Sequence, residues 1–442
     1  MKLNISVLLL IFCVAACAVT SKAKTSPEIL ARAAVSADPN EAAAAIAELR
    51  ETGPDGLSIL LRIHSDEINR QITTPAVTPE WQRLSSALDA VSQQKDSYLS
   101  GLYWYTDLNQ AEAAARASGK PILSLRLLGK LSDEFSCANS RFFRTILYSN
   151  LEVSHVLREQ FILHWQSVRP VPRVTIDFGD GRKLESTITG NSIHYVLASN
   201  GQPLDALPGL YGPESFLRSL AEIRQLHERL KRVPAEARFQ MLDEYHRASV
   251  RTLTANWLAD AQKAGGKIPE YLLPKSATTG TARAVEIAPL AVTKRITEVS
   301  LLKAITRDAE ALGVVTDEPT WTRIALQHIG DAKLDDRSFS LILRQTKDLF
   351  PIRRSSDFNP QLRLASLVQK LQWSIAMDTV RNEYMLRPKL HAWLAVDPAR
   401  ANLDALNEKV YAELFLTPKT DPWLGLFSPE IYNGLDGAGV TP

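Results

Sequence analysis

The tetrapeptide Cys137-Ala138-Asn139-Ser140 holds the residues best placed for chemistry. An apolar stretch of strand character comes shortly before it and a helical pattern follows, so the thiol falls at a predicted helix start. There the macrodipole and the unpaired N–H groups favour thiolate, which is the reactive form. The folded body offers no second thiol, which limits Cys137 to monothiol exchange with a client or a small thiol. His194, between Ile193 and Tyr195 on a predicted strand, could lower the pKa of Cys137 as a Cys–His pair. Arg141 and Arg144 could hold an anion at the same helix start. The competing view makes Cys137 a buried small apolar residue. In that view His194 is a hydrogen-bonded strand residue and the arginines are solvated.

Other chemistry is excluded by spacing. Asp177-Phe178-Gly179-Asp180-Gly181 lacks the D-x-D-x-D-G pattern and closing glutamate of a calcium loop, and reads as a hairpin turn. No G-x-x-x-x-G-K-[ST], H-E-x-x-H or G-x-S-x-G is present. Asp205 and Glu214 are too isolated to serve as an acid–base pair. No metal and no cofactor is expected.

Compartment follows from the first seventeen residues. Lys2 supplies a positive end, and Ile5 to Ala16 form an apolar run broken only by Ser6. That run is too short to span a bilayer and has the make-up of an export signal. It ends in Val14-Ala15-Ala16-Cys17, which resembles the bacterial lipobox. The resemblance implies lipidation at Cys17, a membrane anchor, and a place in the cell envelope. With Ala18 rather than aspartate after the cysteine, it implies the outer membrane, facing the periplasm. Cys13 lies in the signal and Cys17 would be acylated, so Cys137 remains without a disulfide partner in an oxidising compartment. The 442 residues carry 51 basic and 49 acidic side chains, and no basic run is interleaved with aromatics. Nucleic acid is therefore not an expected partner. An envelope protein is.

The elements that must position these residues read in chain order. Helices are predicted over Pro27–Ser36 and Pro39–Thr52, punctuated by Asp38-Pro39 and Gly53-Pro54. The second continues into a partner, with Ile46, Leu49, Leu57, Leu60 and Leu61 as a shared seam. This pair resembles one HEAT-like hairpin, and a single hairpin is more simply a helical cap. A helix over Trp81–Leu99 follows. Next come a helix over Leu108–Ser118, a strand from Pro121 to Leu128, a helix over Ala138–Tyr148, and another over Leu151–Gln160. A strand spans Phe161–Val168. Two hairpins turn at Gly179–Gly181 and Asn200-Gly201, and a helix covers Pro213–Lys231. Beyond it the chain is helical. Ala235–Lys263 is one long helix, Ile268–Ala282 is a linker, and amphipathic segments run over 288–312, 318–329, 336–349, 359–386, 389–396 and 403–413. An apolar tail carries Trp423, Leu424, Leu426 and Phe427.

Residues 102–231 resemble the thioredoxin fold of exported proteins. The matching residues are Ala111 to Ala117, Lys120-Pro121-Ile122, Tyr148 to Val153, Phe161-Ile162, Tyr195-Val196-Leu197 with Asn200-Gly201, and Leu207-Pro208-Gly209 followed by Glu214 to Leu217. The resemblance places Cys137 at the family's CxxC, with Ser140 where the second cysteine stands. It departs from the family in lacking the aromatic-Cys-Gly-Pro context. It also lacks the proline that faces the thiol, whose place falls near Ile193-His194. The hairpin over Val174–Thr189 is an insertion.

The expected organisation is a signal peptide (1–17), a helical region (27–99), a thioredoxin-like α/β domain (102–231) and an all-α C-terminal domain (235–442). The expected function is a non-catalytic interaction scaffold. A monothiol oxidoreductase or redox sensor acting through Cys137, Ser140 and His194 is the alternative. A ligand-binding module would require a pocket at a domain junction.

Overall fold

A computed structural model describes residues 25–73, 76–188, 190–265, 316–346, 360–396, 402–424 and 426. The signal segment with Cys17, the linker 268–282, the segment 288–312 and the tail from 427 onward lie outside the described residues.

The N-terminal region is helical: α1 (Pro27–Ala33), α2 (Pro39–Glu51), α3 (Pro54–Ile63), α4 (Ser65–Thr73) and α5 (Pro79–Ser92). Proline sits in the first turn of α1, α2, α3 and α5, where its missing N–H costs nothing. Asp38 and Thr78 cap α2 and α5 by accepting from Asn40 and Trp81 N–H. Leu49, Leu57 and Leu60 are buried together with Trp81, Leu84 and Leu88 of α5, while Ile46 and Leu61 pack at the margin. The predicted helix over Trp81–Leu99 stops at Ser92, with Gln93 left-handed at φ 59°. Side chains divert the backbone there. The Ser92 hydroxyl accepts from Gln94 N–H at 3.1 Å, and the Asp89 carboxylate accepts from Ser97 N–H at 3.0 Å.

After α6 (Leu108–Ser118), capped by Asp107 and closed by Gly119 at φ 70°, the chain enters a four-stranded sheet. Its strands are β1 (Ile122–Leu128), β2 (Ile162–Arg169), β5 (Ser192–Leu197) and β6 (Pro203–Pro208), in the order β2-β1-β5-β6. β1 pairs parallel with β2 and antiparallel with β5, and β5 pairs antiparallel with β6. The crossover between β1 and β2 carries α7 (Ala138–Phe142) and α8 (Leu151–Gln160). The predicted continuous helix over Ala138–Tyr148 is instead one α-turn followed by a π-helical turn, Phe143–Leu147. β3 (Arg173–Asp177) and β4 (Lys183–Thr187) form a separate two-stranded sheet. Their turn is held by Asp177 accepting from Gly179 N–H and Asp180 from Arg182 N–H. Gly179 and Gly181 have φ of 74° and 91°, and glycine takes such angles without strain.

α9 (Pro213–Lys231) and α10 (Ala235–Lys263) begin the helical part. It continues with helices Glu318–Gln327, Asp336–Thr346, Pro360–Arg381, Arg387–Val396 and Leu403–Lys409. These helices share the sheet's hydrophobic core. Ile324, Ile375, Leu390, Leu406 and Tyr411 belong to the same buried cluster as Leu125 and Tyr195. One of them also reaches back, since Leu341 joins the N-terminal cluster. Among the described residues no helix is long and apolar enough to cross a membrane.

The α2–α3 hairpin is close enough that a Cβ at Gly56 would overlap the Leu49 carbonyl, which is backbone and cannot swing away. Gly56→Ala is expected to destabilise the protein by about 1–3 kcal/mol, measured by urea unfolding, through overpacking alone.

Candidate functional site

Cys137 caps α7 and follows the loop after β1. Its N–H donates to the Leu128 carbonyl at 3.2 Å, and its carbonyl accepts from Arg141 N–H at 3.2 Å. The side chain has no solvent exposure. Burial pushes the thiol pKa up, and the Ser140 backbone, the Ser140 hydroxyl, the Leu128 backbone and the Arg141 charge pull it down without overcoming that. The Ser140 hydroxyl is itself held inside, donating to the Cys137 carbonyl at 2.9 Å and lying 2.5 Å from the Ser136 hydroxyl. So Cys137 and Ser140 are brought together, in a dry setting.

His194 is buried on β5, and its Nε2 lies 2.7 Å from the Tyr148 hydroxyl. Phe143 and Phe216 pack around the ring, with centroids 4.6 and 5.2 Å away. Its hydrogen-bond partner is thus Tyr148, not the thiol. Burial drives its pKa down to about 3, so the ring is neutral at pH 7 and supplies no positive charge to a thiolate. The π-turn before Tyr148 closes on it, with Tyr148 N–H bonded to the Phe143 carbonyl at 2.7 Å. His164 on β2 is likewise lowered to about 3 by burial, and its Nδ1 meets the Ser124 hydroxyl at 2.8 Å.

The two arginines hold protein groups. Arg144 is buried and donates to the Asp133 carbonyl at 3.1 Å and to the Glu134 carbonyl at 3.4 Å. It thereby pins the loop that leads into Cys137. Arg141 donates to the Thr187 hydroxyl at 3.0 Å, tying α7 to the inserted hairpin. Thr187 in turn donates to the Ser136 carbonyl at 3.1 Å.

No family model, curated protein or solved structure matches this chain.

Asp205, isolated in the sequence, stands at the centre of a second constellation. Asp205, fully buried on β6, accepts from the Tyr245 hydroxyl at 2.5 Å and pairs with Arg387 at 3.3 Å. His391 Nε2 lies 3.8 Å from the same carboxylate, and His391 and His246 approach through their Nδ1 atoms at 2.9 Å. Arg387 also bonds Glu383 at 2.9 Å and the Ser219 hydroxyl at 3.1 Å. Burial opposes ionisation of Asp205, but His391, Arg387 and His246 together with the Tyr245 hydroxyl outweigh it and hold the carboxyl at about 2. Burial takes His391 down to about 3, leaving Arg387 as the lasting counter-charge at pH 7. The network joins the sheet edge to three helices. One signal was available: an aspartate in the otherwise apolar strand Pro203-Leu204-Asp205-Ala206-Leu207-Pro208 must find a buried partner. Arg387 and His391 stand four apart on one helix face.

Two outcomes are expected. Since His164, His194 and His391 refuse protons that the unfolded chain takes up below its ordinary histidine pKa of about 6.5, stability falls as pH drops from about 6.5 towards 3, by up to about 1.4 kcal/mol per pH unit for each residue. Urea unfolding at pH 7 and pH 5 checks this, and His194→Gln should flatten the dependence. Separately, Arg387→Met strands the Asp205 charge and should cost about 3–5 kcal/mol, of which Asp205→Leu in the same chain restores at least about half.

Proposed function

We propose that this chain is an exported, lipid-anchored envelope protein whose thioredoxin-like α/β region is a non-catalytic binding scaffold. The observation that carries the scaffold role is the burial of Cys137, with its thiol pKa raised rather than lowered. The strand order β2-β1-β5-β6, with one parallel pair and two antiparallel ones, supports the thioredoxin-like assignment made from the 102–231 motifs. Anchoring through Cys17 and an outer-membrane, periplasm-facing location rest on the sequence of residues 1–17. An envelope protein is the partner of choice. Ile176, Phe178 and Leu184 stand exposed on the β3–β4 hairpin, and apolar surface of that kind favours contact with another macromolecule.

One observation favours the alternative, a monothiol oxidoreductase or redox sensor. Cys137 does cap a helix, and Ser140 lies in reach of its thiol. Reaction of the folded protein with a chromogenic disulfide reagent at pH 7 separates the two roles. As a scaffold, Cys137 reacts at least about a hundredfold more slowly than in denaturant, because the thiol is raised and shielded. Fast labelling below pH 7 that Cys137→Ser abolishes, or measurable disulfide exchange, would establish the redox role instead.

A further inference from the structure

The N-terminal helices do not seal against the α/β region. Between them is a cleft of about 530 Å³, walled by α3, the segment from Tyr98 to Tyr105, the end of α8 and the start of the helix Asp336–Thr346. That volume suits a small ligand, for which sites run roughly 300–1,000 Å³. We propose that this cleft binds a small organic anion, a carboxylate or phosphate ester on an apolar body, with the anionic group between Arg158 and Arg337.

Two guanidinium groups are fixed side by side by consecutive carbonyls. Arg337 donates to the Leu99 carbonyl at 3.0 Å, and Arg158 donates to the Ser100 carbonyl. Both line the cleft, as does Lys120, whose ammonium donates to the Arg158 carbonyl at 3.3 Å. Among the described residues none of the three forms an ion pair, in a protein that pairs buried Arg387 with two carboxylates. Desolvation and then the Arg337 charge weigh against the cation on Arg158, and the neighbouring Glu159 charge offsets them only in part, so an anion seated between the two guanidinium groups relieves the repulsion that is left. Fork-shaped donors of this kind match the planar oxygens of carboxylate and phosphate.

The remaining wall suits an apolar body. Leu61, Tyr98, Tyr103 and Tyr105 face the cleft. Gly101, at φ 60°, lets the segment pass close, since a Cβ there would stand 3.3 Å from Leu61 and 3.8 Å from Arg158. Asp55 and Glu159 also line the cleft and repel an anion, which confines the charged end to the two arginines. None of this depends on the state of Cys137.

The intact protein is titrated with phenylacetate, phenyl phosphate and benzyl alcohol, followed by ligand-observed NMR. Both anions should bind saturably, with the alcohol at least about tenfold weaker. Arg158→Gln and Arg337→Gln should each weaken the anions about tenfold and leave the alcohol unchanged. Tighter binding of phenyl phosphate marks a phosphate ester as the natural class, and tighter phenylacetate marks a carboxylate. Should either arginine variant fold poorly, Lys120→Gln and a salt series replace it, and both should weaken the anions selectively. The assignment is overturned if neither anion saturates up to about 20 mM, a concentration that still detects a millimolar site. Equal binding of the alcohol overturns it too, as do anion affinities unmoved by every variant and by salt.

Discussion

The central constraint is that β1 has no wet face. All seven of its residues are buried, so both sides of the sheet need a cover. Side chains alternate across a strand, and neighbours on β5 show the division. His194 turns towards Tyr148 and Phe216, beneath the crossover helices and α9. Tyr195 turns the other way and donates to Asn407 at 3.4 Å. Arg126, also on β1, pairs with Asp404 at 3.3 Å and bonds Gln166. The C-terminal helix Leu403–Lys409 is therefore part of the sheet's lining.

That closure decides the chemistry at Cys137. A helix start favours thiolate by roughly 0.3–1 kcal/mol, and α7 is a single α-turn before the π segment. Removing a charge from water costs several kcal/mol. The second effect wins, so a position that activates a thiol elsewhere holds an ordinary buried one here. The same dryness makes the Asp205–Arg387 pair costly to break singly, and it keeps His194 neutral.

Much of the scaffold was legible because its signals are local. Asn150 capping Leu151–Gln160, Asp107 and Gly119 bracketing Leu108–Ser118, and the turn glycines at 179, 181 and 201 each act within a few residues. The end of α5 was not legible, since the contact that stops it joins Asp89 to Ser97 across a loop. Nor was the π-turn Phe143–Leu147, because no local propensity separates its i→i+5 bonding from that of an α-helix. The thiol's position at a helix start could be read from the chain, whereas its burial is a tertiary property of the cluster it shares with Tyr195 and Tyr411. The Asp205 network spans 182 positions to Arg387, and no periodicity reports that distance.

Arg169, at the end of β2, extends the dependence to the last described residues. Its guanidinium donates to the carbonyls of Thr417, Pro418 and Asp421. A polypeptide made from its N-terminus completes all six strands of the described residues some two hundred residues before the shield for one side of the sheet exists. Contacts of such long sequence separation slow folding, and until they form, an apolar wall stays open to other chains. Forms ending before Leu403 therefore leave Tyr195 and Arg126 without Asn407 and Asp404, and that side of the sheet without its lining helix.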